Sequence, residues 1–167
     1  MSGKLTVVMY HYVRDLKNSR YPHIKGCDIR LFKEQIQYIK RHYNPVTVEQ
    51  VLYAYYNGRQ LPEKAVLLTF DDAYADHFTN VFPVLYHEHI QGVFFPPVKA
   101  VTEHTVLDVN KVHFILASTP TEKMPQLLGE LDSWSIRIGW NTTSNRLIVI
   151  LRGWLWLIDL IPRKQYL

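Results

Sequence analysis

Two adjacent carboxylates, Asp71 and Asp72, close a run with strand character, Val-Leu-Leu-Thr-Phe-Asp-Asp-Ala-Tyr-Ala-Asp-His over residues 66–77. Successive side chains of a strand point to opposite faces, so an acid pair at its end sits at the strand tip rather than inside the sheet. The approach residues Ala65, Val66, Leu67, Leu68 and Phe70 are apolar, which suits a strand covered on both faces. A carboxylate pair at the end of such a strand is paired, protonated or bound to a cation. A cation beside a base is hydrolytic chemistry, because metal-bound water has a lowered pKa and a carboxylate within hydrogen-bond reach can take its proton. For any two neighbouring acids, an ordinary solvated turn is the competing reading.

Thr69-Phe70-Asp71-Asp72-Ala73-Tyr74 resembles the first motif of the polysaccharide deacetylases, the carbohydrate esterase family 4 or NodB-homology group, whose usual form is Thr-Phe-Asp-Asp-Gly. Three further stretches agree with that family in order and spacing: Val8-Met9-Tyr10-His11-Tyr12-Val13, the run Phe32 to Ile39, and Gly92-Val93-Phe94-Phe95. The resemblance covers roughly residues 5–117. It implies an α/β fold, a partial or distorted NodB-type (β/α) barrel with parallel strands. It also implies hydrolysis of N-acetyl groups on a polysaccharide or amino sugar. Carried over by position, Asp71 is the catalytic base and Asp72 a ligand of a divalent metal, zinc by resemblance. Ala73 stands where the family has Gly, a mild change provided the position does not require a positive φ.

The family's second motif, two imidazoles four apart that complete the metal site, has no counterpart at that spacing among His11, His23, His42, His77, His87, His89, His104 and His113. His87 and His89 are two apart and diverge by about 200° on a helix. The later Arg-x-Pro-Tyr and Leu-x-His motifs have no counterpart either. With one carboxylate ligand and no imidazole pair, the three-ligand set of a catalytic zinc is incomplete. Two alternatives to the enzyme follow: a non-catalytic carbohydrate-binding or assembly module, and a truncated inactive product. Three residues are candidates to line the pocket. They are His11 beside a strand end, Tyr74 just past the acids and His77; each has a structural reading as well, for His77 that of a surface histidine at a helix start. His104 and His113 are assigned to solvent or a helix face.

The elements that must position these residues are readable in outline. Leu5 to Met9 is a predicted strand and Arg14 to Cys27 a loop. Asp28 caps a helix on which Ile29, Phe32, Ile36, Ile39 and Tyr43 recur at helical spacing. Thr47 and Gln50 form a capping box for a second helix ending at Gly58, and both helices are expected on one face of the sheet. Asp76 to His89 is a third helix with Pro83 as an early-turn or kink signal, Gly92 to Phe95 a strand stopped by Pro96 and Pro97. Asp108 to Ala117 and Thr121 to Leu131 are further helices, Thr121 serving as N-cap. Alternating strands and helices argue for a parallel sheet.

The 167 residues, 47% hydrophobic and 20% charged, suit one globular domain with a sizeable core. The net charge of +4 resides in residues 133–167, which hold five Lys and Arg against one Asp and all four Trp residues. Residues 1–132 are accordingly read as the N-terminal part of the deacetylase domain, and 133–167 as an atypical basic, Trp-rich tail, for which the two readings are departure from family sequence by frameshift or truncation and a divergent C-terminal element. The neutral body argues against a nucleic-acid partner, and the apolar segment 147–161 contains Arg152 and Asp159 and is too short to span a bilayer. A six-residue apolar run after Lys4 is too short for a signal-peptide core, so a cytoplasmic location is expected. The single Cys27 excludes an internal disulfide.

Overall fold

The strand that ends in Asp71, β5 (Ala65–Asp71), is buried from Ala65 to Phe70, as its nearly all-apolar sequence requires. A computed structural model describes residues 4–137, and the chain divides into two compact units, residues 1–118 and 119–167. In the first unit β5 is the central strand of a parallel sheet. On one side β1 (Leu5–Tyr10) pairs along its length, from Leu5 opposite Ala65 to Tyr10 opposite Phe70. On the other side β5 pairs first with the short β4 (Asn44–Pro45) and then with β6 (Gly92–Phe95), from Leu68 opposite Gly92 to Asp71 opposite Phe95. A second, two-stranded sheet joins β2 (Val13–Arg14) to β3 (Cys27–Asp28) at the two ends of the expected loop.

The pleat divides the core. Val66, Leu68 and Phe70 face one way and form the main cluster with Tyr10, Phe32, Ile36, Ile39, Val81 and Leu85, which come from β1 and from the helical segments. Phe70 lies stacked between Tyr10 and Phe94, at ring distances of 5.2 and 5.0 Å, because these three residues are register partners across the sheet. Helix α1 (Ile29–His42) supplies Phe32, Ile36 and Ile39 from one stripe, and the Asp28 side chain caps it by accepting from the Arg30 N–H. Helix α2 (Val48–Tyr56) starts with the expected capping box of Thr47 and Gln50, and Gly58 beyond its end adopts a positive φ of 60°. The expectation that both helices share one face is corrected: Val51 of α2 packs with Ala65, Leu67 and Val46, on the side of β5 opposite the α1 cluster.

The expected single helix from Asp76 to His89 is two segments. A wide π turn spans His77–Val81, where the Phe82 N–H donates to the His77 carbonyl, and α3 (Phe82–Glu88) follows with Pro83 in its first turn. Pro83 has no N–H to give the preceding turn, and the wider turn absorbs that missing bond. After β6, a short helix α4 (Val98–Thr102) that the sequence did not announce precedes α5 (Asp108–Ser118). In the second unit Thr121 is not an N-cap. Pro120 occupies that position without a side-chain cap, Thr121–Lys123 form a 3-10 turn, and α6 (Met124–Arg137) follows. The boundary expected at residue 133 falls within α6, and the remainder of the Trp-rich tail lies outside the described residues.

Candidate functional site at the tip of the central strand

Asp71 is the last residue of β5 and shares the pleat face of Leu67 and Thr69. Its side chain is 30% exposed, and His11, just past the end of β1, brings Nε2 to 3.9 Å from Asp71 Oδ2. Parallel pairing of β1 and β5 ends both strands at the same level, which places His11 beside the acid although sixty residues of sequence separate them. The Asp72 N–H donates to the Phe95 carbonyl at 3.1 Å, extending the β5–β6 ladder one step into the turn. There the chain reverses through two left-handed residues, Asp72 at φ 73° and Ala73 at φ 48°. The proviso on Ala73 is therefore met in the unfavourable sense: the position requires a positive φ, where the usual glycine is unstrained and an alanine methyl is not.

Past the turn the Asp72 carboxylate meets Tyr74. The Tyr74 hydroxyl donates to Asp72 Oδ2 at 2.5 Å, and Asn110 Nδ2 of α5 donates to the same hydroxyl at 2.7 Å. Asn110 Nδ2 also reaches the Tyr12 hydroxyl at 3.3 Å, and that hydroxyl lies 3.3 Å from His113 Nδ1. The Tyr12 and Tyr74 rings stack at 4.0 Å. Burial, and secondarily the bond to Asp72, push the Tyr74 phenol well above its ordinary pKa, so it acts here as a proton donor that stays protonated. Burial also lowers the His113 imidazole, against an opposing pull from Asp72 and with a smaller push from His11.

His77 does not line the tip and is not a surface residue. It is 4% exposed, ringed by Phe70, Tyr74 and Phe94, and its Nε2 lies 2.7 Å from the His11 carbonyl. A carbonyl only accepts, so Nε2 carries the proton and His77 holds the backbone from which the His11 side chain projects. Two neighbours of His77 grip the same segment: Arg14 Nε donates to Asp76 at 2.6 Å, and Asn80 Nδ2 donates to the Val13 carbonyl at 2.8 Å. Sequence reasoning missed Asp76, Asn80, Asn110 and the buried position of His113. The available signal was a polar residue on an otherwise inward helical face, as with Asn110 and His113 three apart on α5.

Whether these residues fit a metal is decided by the donor set. Among the described residues no three His, Cys, Asp or Glu side chains converge on a common point, and all eight histidines are described. One oxygen of Asp72 already accepts the Tyr74 proton. The described residues alone do not fit a divalent cation.

The polysaccharide deacetylase family matches residues 58–148, more than half of the chain, a span that includes both acids, the turn, α5 and residues 133–148. The chain belongs to the polysaccharide deacetylase family. Within it, the chain is similar to the poly-beta-1,6-N-acetyl-D-glucosamine N-deacetylase of Escherichia coli strain K12 and to that of strain O157:H7. Each is 38% identical over 80 residues, 47% of this chain and 12% of the relative. The chain thus matches about an eighth of the length of those relatives. Among solved structures, a de-N-acetylase from Aggregatibacter actinomycetemcomitans superposes with a TM-score of 0.50 at 28% identity, over 61% of this chain and 40% of the other. The Streptococcus pyogenes deacetylase PplD in complex with acetate gives 0.53 over 67% of this chain and 51% of the other, and at 21% identity speaks for the fold alone. The α/β fold with parallel strands, a partial NodB-type barrel, is that of these deacetylases. No helix among the described residues is long and apolar enough to cross a membrane, which lends the expected cytoplasmic location no support.

Proposed function

We propose that this chain binds N-acetylated carbohydrate at the tips of β1 and β5 and contributes Asp71 as the base in hydrolysis of the N-acetyl group. The observation that carries this reading is the placement of Asp71, part-exposed at the end of a fully buried strand with His11 3.9 Å away. An amide is a poor electrophile and water a poor nucleophile, so a carboxylate positioned to take the water's proton as the carbon–oxygen bond forms lowers the barrier. His11, with Nε2 3.9 Å from Asp71 Oδ2, is placed to steady that carboxylate. Asp72 is the proposed metal-side carboxylate. Polarisation of the carbonyl by zinc would need two protein donors beyond it.

A second reading has its own support. The Tyr74 bond to Asp72, and the lack of three converging donors among the described residues, favour a non-catalytic carbohydrate-binding module that keeps the family's fold. Oligomers of β-1,6-linked N-acetylglucosamine, the polymer in the Escherichia coli relatives' name, separate the two. Released primary amines are measured with zinc supplied, and calorimetry reports oligomer binding. Amine release that falls at least about 100-fold in Asp71→Asn, with oligomer affinity retained, supports the enzyme. Binding without release moves the chain to the second reading, and neither binding nor release defeats both.

A further inference from the structure

We propose that Asn110, on α5, is a positioning residue for Asp72 and acts through the Tyr74 hydroxyl. The inference starts from which atoms hold protons. A carboxylate accepts only, so the 2.5 Å contact between Tyr74 Oη and Asp72 Oδ2 requires the phenol proton to lie between them. Tyr74 Oη is then an acceptor toward its other neighbour at 2.7 Å, and that neighbour is the amide nitrogen of Asn110, a donor. The same nitrogen faces the Tyr12 hydroxyl at 3.3 Å, so its two protons are divided between two stacked phenols. Each phenol is thereby left to point its own proton outward, Tyr74 to Asp72 and Tyr12 to His113 Nδ1.

This polarity gives Asn110 a role that burial alone would not. Asn110 is 7% exposed, and a leucine of similar size would fill its volume. Leucine would not supply the two donors. Without them the Tyr74 hydroxyl loses the bond that orients it, and Asp72 Oδ2 loses a fixed, polarised donor. The orientation of the Asp72 carboxylate in its left-handed turn is then set by the backbone alone. The inference deepens the proposed function, because it takes Asp72 as a carboxylate of the carbohydrate site, yet the hydrogen-bond relay can be tested apart from that reading.

The test uses the full chain with carbon-13 label in the Asp carboxyl and Tyr ring positions, at one neutral pH. The variants are Asn110→Leu, Tyr74→Phe and the two combined, and binding of the β-1,6-linked N-acetylglucosamine oligomer is measured on each. Asn110→Leu is expected to move the Asp72 carboxyl resonance in the direction that Tyr74→Phe moves it, with no further shift in the combined variant and with Asp71 unmoved. Oligomer affinity is expected to drop severalfold in Asn110→Leu and no further in the combination. An Asp72 resonance that responds to Tyr74→Phe but not to Asn110→Leu overturns the proposal, as do additive effects of the two substitutions. Asn110→Ser, too short to reach both phenols, gives the same readouts should the leucine variant not fold. If the resonances behave as expected while no variant and no wild-type sample binds oligomer, the positioning role stands and the carbohydrate reading falls.

Discussion

Ala73 occupies a left-handed turn, at φ 48°, one residue after the carboxylate whose direction that turn sets. A side chain with a Cβ in this region costs roughly 1–2 kcal/mol, part of which glycine would return as chain entropy on unfolding. Ala73→Gly is therefore expected to raise unfolding free energy by about 0.5–1 kcal/mol in a urea titration, without loss of the Tyr74–Asp72 bond. Asp71 and Asp72 were legible as site candidates because the acids follow a nearly all-apolar strand and stand in the family's first motif. The partners of Asp72 were not. Asn110 lies 36 residues from Tyr74, and His113 lies 101 residues from Tyr12, so their meeting is a product of how α5 packs and no local spacing encodes it. The same limit concealed His77, whose helix-start position suggests solvent until the aromatic ring of Phe70, Tyr74 and Phe94 closes around it.

Elements behave as their sequence asks where the controlling interaction is local. The Asp28 cap, the Thr47 and Gln50 capping box and the β5 run all appear where periodicity and cap chemistry place them. Non-local demands account for the departures. The π turn before α3 follows from Pro83, and the glycine that opens β6 is required by packing: a Cβ on Gly92 would come within 2.8 Å of both Leu85 Cδ1 and Phe70 Cε2. Both neighbours are buried and have little room to yield, so Gly92→Ala is expected to cost about 1–3 kcal/mol, seen as a lower urea midpoint at unchanged slope. Helix α5 should carry a pH signature. Burial depresses the His113 imidazole below its ordinary value of 6.5, so the unfolded chain binds the proton more readily than the folded one. Stability contributed by neutral His113 is present above pH 6.5 and is lost as pH falls from there toward the depressed folded value. Thermal melts between pH 7 and about pH 5 should show this loss, and His113→Gln should flatten it; an equal slope in both proteins contradicts the assignment.

At the scale of the whole described molecule the two faces of the sheet differ. Val66, Leu68 and Phe70 are covered by α1 and the segment around Val81 and Leu85, while the face that ends in Asp71 presents Val7 and Met9 from β1 and Phe95 from β6, each more than half exposed. Apolar side chains leading to a carboxylate are suited to the C–H faces and polar edge of an amino sugar. The central claim is that carbohydrate is engaged at this end of β1 and β5. The most direct measurement is a titration of the β-1,6-linked N-acetylglucosamine oligomer into the chain, followed through the Met9 methyl, the His11 ring and the Asp71 carboxyl resonances. The account predicts saturable shifts at all three that are lost together in Met9→Lys; saturable shifts confined to distant groups such as Leu52 of α2, or none at any oligomer concentration, would contradict it.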